Sequence, residues 1–298
     1  MIAYPVTSSP IQPVLAESAP AKVNLTLHVL RRRADGYHEL ESLVAFAREA
    51  DELMLTPGGA LELEVQGPTA GEAGNAADNL VIKAVRELEK RIAGLKLGTF
   101  VLSKRLPVAA GVGGGSSDAA AALRLIARAN DIALDDPRLF EAARLTGADV
   151  PVCLDPRARA MCGIGEILSE PLGLPELAAV LVNPRVAVST KDVFARLQIN
   201  QTSAPVPAVP LAVTSRDQLL EAVAAARNDL EQPAMTLKPV IADVLAALAK
   251  QSGCQLARMS GSGATCFGLF GSSSEAETAA RNLAAAQPGW WVRSTVLC

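Results

Sequence analysis

Apolar and polar residues alternate from Ala21 to Val29. A period of two predicts a strand with Val23, Leu25, Leu27 and Val29 on one face and Lys22, Asn24, Thr26 and His28 on the other. The preceding residues 1–19 read as a loose leader. Arg33-Ala34-Asp35-Gly36 follows, an Asp-Gly hairpin turn. Alternation returns over Glu52–Leu55 and Leu61–Val65, joined by Pro57-Gly58-Gly59. Leu80, Val81, Ala84, Val85 and Leu88 recur at helical spacing behind Asp78-Asn79, and Thr99–Leu102 is a short strand. A helix is predicted from near Ser117 and another over Pro137–Leu145, with Pro in its first turn. Met161–Leu168 reads as one strand containing Gly163 and Gly165.

The pattern restarts after Pro171–Pro175 with a buried strand over Leu177–Val182. Ser203–Pro210 is a Pro-rich connection. Helices over 216–226, 238–251 and 274–286 and strands over 256–259, 264–270 and 291–296 complete the chain. A boundary near residue 170 divides it into units of 1–170 and 171–298. The length of 298 residues suits two domains.

Composition narrows the function. Aromatic residues make up 3% of the chain, too few for a base-stacking surface. The formal net charge is -3 and the longest basic run is Arg31-Arg32-Arg33, so no nucleic-acid partner is expected. No stretch approaches 18 uninterrupted apolar residues, and no membrane association is expected. Five cysteines without a CxxC pair point away from disulfides and thiolate zinc, toward a reducing cytoplasmic setting.

The strongest chemical signal runs from Pro107 through Val108, Ala109, Ala110, Gly111, Val112, Gly113, Gly114, Gly115, Ser116 and Ser117 to Asp118, ahead of Ala119–Ala122. Four glycines in five positions allow positive φ, expected at Gly114 among others. Backbone N–H groups then surround an anion, assisted by the N-terminus of the following helix. Ser116, Ser117 or Asp118 is available to cap that helix. A Walker A loop is excluded because no Gly-Lys pair exists, and a dinucleotide fingerprint fails at Ser116. A protein-kinase site needs a His-Arg-Asp, and the two histidines are His28 and His38.

This loop resembles the second motif of the GHMP kinases, which phosphorylate galactose, homoserine, mevalonate and related alcohols. Pro20–Leu25 resembles the family's first motif and Met259–Thr265 its third. The resemblance implies a two-domain α+β fold: an N-terminal mixed-sheet domain with the phosphate loop and a C-terminal ferredoxin-like domain, with the site between them. Arg33–Leu40, Gly147–Pro151, Gly163–Glu166 and Asn228–Glu231 are similar to a branch acting on the 2-hydroxyl of 4-diphosphocytidyl-2-C-methyl-D-erythritol, in the non-mevalonate isoprenoid route. The alternatives are a homoserine- or mevalonate-type kinase, or a catalytically silent sensor of the same fold. Ala109, Ala110 and Val112 depart from the usual loop residues and stiffen it, and Cys266 replaces a larger apolar residue.

On its own Asp149 reads equally as a cap, and Lys22 as an edge-strand charge. The resemblance makes Asp149 the base and Lys22 its partner, with ATP and Mg²⁺ as the implied cofactors. It places Asn24 at the substrate alcohol, and Tyr37 and Phe194 on the two faces of a cytosine whose polar edge meets His38. Asn79 and Lys104 match positions near the adenine. Ser116 or Ser117 is the contact for phosphate or Mg²⁺, and no further residue is assigned to the metal. A small-molecule substrate and a monomer or weak homodimer are expected.

Overall fold

The computed structural model describes residues 13–75, 78–197 and 215–298. The Pro-rich connection expected over 203–210 lies outside the described residues. The N-terminal half runs through strands β1 (Leu15–Asn24), β2 (His28–Arg32), β3 (His38–Pro57), β4 (Glu62–Gln66) and β5 (Gly98–Ser103). Helix α1 (Leu80–Glu89) lies between β4 and β5. Helices α2 (Gly114–Ala129), α3 (Pro137–Thr146) and α4 (Val150–Cys153) follow, then the hairpin of β6 (Arg159–Gly163) and β7 (Ile167–Leu168). The C-terminal half comprises β8 (Leu177–Asn183), α5 (Thr190–Arg196), α6 (Arg216–Ala225), α7 (Glu231–Leu237), α8 (Val240–Ala249), β9 (Cys254–Met259), β10 (Cys266–Phe270), α9 (Ser273–Ala286) and β11 (Trp291–Leu297).

The 20-residue strand β3 is the spine, pairing with β1, β2, β5, β6 and β11. A single path orders the strands β4-β5-β3-β11-β8-β10-β9. Within it β4 and β5 are parallel while the other neighbours are antiparallel, which makes the N-terminal sheet mixed. The C-terminal strands lie in the order β11-β8-β10-β9, with helices in the crossovers from β8 to β9 and from β10 to β11. That is the split βαβ arrangement of a ferredoxin-like unit. The two halves join where Leu297 faces Ala47 and where Cys298 and Phe46 exchange backbone hydrogen bonds of 2.9 and 3.0 Å.

Hydrophobic burial follows the sequence pattern closely on α2, where twelve of sixteen residues are buried, including Ala119–Ala122. Small side chains all round let this helix pass between β1, β3 and its neighbouring helices as a core element. A separate apolar cluster draws Val23 and Ala45 from the first half and Leu181 and Phe267 from the second. The halves therefore share a core around the ends of the motifs.

Several expectations are corrected. Strand β1 begins at Leu15, inside the supposed leader; its inward face carries Glu17, which pairs with Arg124 and Arg128 and so breaks the apolar alternation. The strand expected to reach Val29 ends at Asn24, and its supposedly polar face is buried: Lys22, Asn24, Thr26 and His28 are all at most 4% exposed. Met161–Leu168 is a hairpin, turned at Gly163 and Gly165, both at positive φ. Helix α2 starts at Gly114, three residues earlier than expected, so Gly114 has helical backbone while Gly113 takes the left-handed conformation at φ 61°. Between β3 and β4 the structure inserts β5, which pairs with both. Among the described residues no helix is long and apolar enough to cross a membrane.

Candidate active site

The three motifs meet through their backbones. Lys22 N–H donates to Val112 C=O at 2.9 Å, and Thr265 N–H donates to Ala110 C=O at 3.0 Å. Ser260 Oγ donates to Gly111 C=O at 2.9 Å and accepts from Asn24 N–H at 3.0 Å. Residues 22–24, 110–112 and 260–265 are thereby locked together. Gly111 shows how close the approach is. At φ 74°, a Cβ there would lie 2.5 Å from Ser260 C=O and 2.8 Å from Gly263 N.

A cleft of about 570 Å³ opens above this junction, lined by residues of all three motifs. Val108–Gly111 and Gly113–Ser116 form one wall. At its base Gly113 precedes α2, and the N–H groups of the first helical turn have no helical acceptor. That end of a long helix attracts an anion. Of the loop residues assigned to nucleotide, Pro107, Val112 and Ser117 do not reach the cleft. The Ser117 hydroxyl instead donates to Pro20 C=O at 2.6 Å, tying α2 to β1. Ser116 does line the cleft.

Lys22 and Asp149 pair in the cleft lining, where Lys22 packs beside Gly113 of the loop. Lys22 Nζ lies 2.8 Å from Asp149 Oδ1, with side chains 4% and 37% exposed. Asp149 occupies the N-cap position of α4, yet its carboxylate makes no capping hydrogen bond. Its second oxygen is left for a ligand. Beneath the pair, burial pushes the Cys153 thiol up to about 12, so this sulfur is inert as a nucleophile.

Asn24 also borders the cleft. The Ser42 hydroxyl donates its single proton to Thr26 C=O at 2.5 Å, so it must accept from Asn24 Nδ2, 2.7 Å away. This orients Asn24 Oδ1, a buried acceptor with no partner among the described residues, as a site for a hydroxyl donor.

Asn79 lines the cleft while capping α1 through Val81 N–H at 3.0 Å. Lys104 lines it too, but its ammonium is held by Asp51 Oδ2 at 2.5 Å and Asp118 Oδ2 at 2.8 Å. Burial opposes the Lys104 charge, but the two carboxylates outweigh it and raise its pKa. Asp51 also accepts from Arg105 N–H and Leu106 N–H, leaving Asp118 the less satisfied carboxylate. Burial raises Asp118 to about 7 against the opposing pull of Lys104.

At the outer end, His38 stacks on Phe194 with ring centroids 4.7 Å apart and planes at 21°. Phe194 borders the cleft; Tyr37 is 60% exposed and outside it. The structure therefore brings together His38 and Phe194, and leaves Tyr37 on the hairpin tip. Burial and the nearby Arg32 lower the His38 pKa. Sequence reasoning omitted Gly261, Ser262 and Gly263, which line the cleft, although the third motif contained the signal.

A cleft with an anion cradle on one wall and a lysine–carboxylate pair at its edge suits phosphoryl transfer between two small molecules. Residues 79–155 match the family described as "GHMP kinases N terminal domain", and residues 209–289 match "GHMP kinases C terminal". The chain is 60% identical over 289 residues to the 4-diphosphocytidyl-2-C-methyl-D-erythritol kinase of Methylobacterium radiotolerans, covering 95% of this chain and 99% of that protein. It is 57% identical over 291 residues to the enzyme of the same name from Rhodopseudomonas palustris, covering 95% of each. The crystal structure of a 4-(cytidine 5'-diphospho)-2C-methyl-D-erythritol kinase superposes with a TM-score of 0.78 at 35% identity, over 95% of this chain and 99% of that one. Homoserine kinase from Cytophaga hutchinsonii shares the fold, with a TM-score of 0.73 at 19% identity over 99% and 97% of the two chains. These matches define a small-molecule kinase that uses ATP. The chain belongs to the GHMP kinase family.

Proposed function

We propose that this chain transfers the γ-phosphoryl group of ATP to the 2-hydroxyl of 4-diphosphocytidyl-2-C-methyl-D-erythritol, a step toward isoprenoid precursors by the non-mevalonate route. The single observation that carries the chemistry is the Lys22–Asp149 pair, 2.8 Å apart, at the edge of the glycine cradle. The substrate rests on relatives of that name at 57–60% identity across nearly the whole chain.

The geometry supports the following roles. The N-terminus of α2 and the backbone of Gly111–Ser116 hold the ATP phosphates. Asn24 Oδ1 accepts a hydrogen bond from a neighbouring hydroxyl of the acceptor, and Asp149 takes the proton of the attacking hydroxyl on the oxygen that Lys22 leaves free. Lys22 holds the carboxylate in place and offsets negative charge on the attacking oxygen. Phe194 and His38 face the cytosine, and Tyr37 reaches it from the hairpin tip.

No group of three or more His, Cys, Asp or Glu able to hold a metal occurs among the described residues. Magnesium fits the site in the manner usual for nucleotide enzymes, held mainly by phosphate oxygens. Ser116 and Asp118 line the cleft, and Asp118 keeps one oxygen without a partner among the described residues; these are the residues that would hold the ion. Bound there, it neutralises phosphate charge. The reaction belongs in the cytoplasm, on a small molecule and without nucleic acid, catalysed by a monomer or weak homodimer.

The test is the product. Incubation with ATP and the cytidine acceptor is expected to yield ADP and, by ³¹P NMR and mass spectrometry, one new phosphomonoester on the tertiary carbon. A phosphate on another hydroxyl, or none, overturns the assignment.

A further inference from the structure

The Asn228–Glu231 segment, singled out in the sequence, has no part in the chemistry above, yet it touches both sides of the site. On the acceptor side it runs beside the first motif. Leu27 N–H donates to Arg227 C=O, and Asp229 N–H donates to Leu27 C=O, each at 2.9 Å. Val29 N–H donates to Asp229 Oδ2 at 2.8 Å. On the nucleotide side it grips the third motif. Asn228 Nδ2 donates to both Met259 C=O and Gly261 C=O at 2.8 Å, and Met259 N–H donates to Glu231 Oε2 at 2.8 Å. Gly261 is pressed against the phosphate loop, where its Cβ would lie 2.9 Å from Gly111 C=O.

We propose that this segment is a brace that fixes the acceptor-side strand against the nucleotide-side loop, and that Asn228 is its positioning residue. The inference rests on the phosphoryl-transfer reading and deepens it. An ordinary turn or cap explains one of the Asn228 bonds, in which Oδ1 accepts from Leu230 N–H at 3.0 Å. It does not explain the other two. Both carboxamide protons are spent on carbonyls 31 and 33 residues away, and only an amide donates twice while accepting once. Asn228 is buried, so water does not readily replace those donors. The transferred group must lie in line with the attacking oxygen, and misplacement by about 1 Å costs on the order of 100-fold in rate. The brace sets that relative position while touching neither substrate's reacting atoms.

Asn228→Asp separates the two roles. It keeps the acceptor for Leu230 N–H and loses both donors. Expected is a kcat at least about tenfold lower in a variant with native circular dichroism, with both KM values within about threefold of wild type, because alignment rather than contact is lost. Glu231→Gln keeps its acceptor and is expected to retain wild-type kcat, whereas Glu231→Ala falls with Asn228→Asp. Leu283→Ala, on α9 in the same apolar cluster as Leu230 but making none of the segment's hydrogen bonds, serves as a control for stability loss and is expected to keep kcat. Wild-type kcat in folded Asn228→Asp and Glu231→Ala overturns the brace, as does an equal fall in Leu283→Ala. Should Asn228→Asp fail to fold, the Glu231 pair decides. Wild type that turns over homoserine or mevalonate but not the cytidine acceptor overturns the substrate reading instead, and the same variants then judge the brace on that alcohol.

Discussion

Replacing Gly111 by Ala perturbs the point where the second and third motifs touch. The backbone there has φ 74°, and the added Cβ would meet Ser260 C=O at 2.5 Å and Gly263 N and C=O at 2.8 Å. The left-handed conformation costs an Ala about 1–2 kcal/mol. Displacing backbone in a packed site costs about 1–3 kcal/mol more. Together about 2–5 kcal/mol of stability is lost, and the loop shifts off the Ser260 shelf that shapes the anion cradle. Gly114→Ala is the contrast. Gly114 is helical, and its added Cβ meets Lys104 Nζ at 3.5 Å and Leu106 at 3.6 Å, ordinary contact distances on the interior side. Removing a helical glycine there is neutral or stabilising by up to about 1 kcal/mol. Urea unfolding of the ligand-free variants gives the midpoints, and calorimetric titration gives ATP affinity. The reasoning predicts a lower midpoint and weaker ATP binding for Gly111→Ala, with both near wild type for Gly114→Ala. Equal behaviour of the two variants, or a wild-type midpoint for Gly111→Ala, refutes it.

Asp149→Asn is expected to retain fold and ATP binding while kcat falls by about 10²–10⁴, the usual worth of general-base assistance; steady-state assay of the folded variant checks it, and near-normal turnover contradicts the role. Phe194→Ala is expected to raise KM for the cytidine acceptor by roughly 5- to 150-fold, corresponding to about 1–3 kcal/mol of stacking, and to leave ATP affinity unchanged; Tyr37→Ala, at the exposed tip, is expected to give a loss in the same range, and an unchanged KM contradicts its contact with the base. Asp118 has a folded pKa raised from 3.8 to about 7, so its favourable contribution is full below pH about 4 and is lost as pH rises through about 7. Asp118→Asn should therefore gain stability relative to wild type between pH 5 and pH 8 in paired thermal melts; a constant difference across that range contradicts the assignment.

The anion cradle was legible from residues alone, because clustered glycines before an apolar helix have few other uses. The partnership of Lys22 with Asp149 was not, since 127 positions separate them and each has a bland reading in its own segment. The resemblance brought them together, and the fold supplies the reason: β1 and the start of α4 border the same cleft. Burial of both faces of β1 was hidden because alternation signals one buried face, whereas the third motif covers the other through Ser260. Lys104 illustrates a further limit. The resemblance implies a cation near the adenine, but its two carboxylate partners come from β3 and α2 and appear only after folding. Joining of the halves through Leu297 and Ala47 likewise depends on long-range pairing that no local period encodes.

The central claim is that the Lys22–Asp149 pair serves an alcohol carrying a cytidine diphosphate. Coupled ADP release, measured with that acceptor and in parallel with homoserine and mevalonate, tests it most directly. The account predicts kcat/KM for the cytidine acceptor at least roughly 100-fold above either competitor, the factor set by about 3 kcal/mol of base contacts that the competitors lack. Comparable or greater efficiency with homoserine or mevalonate would contradict it.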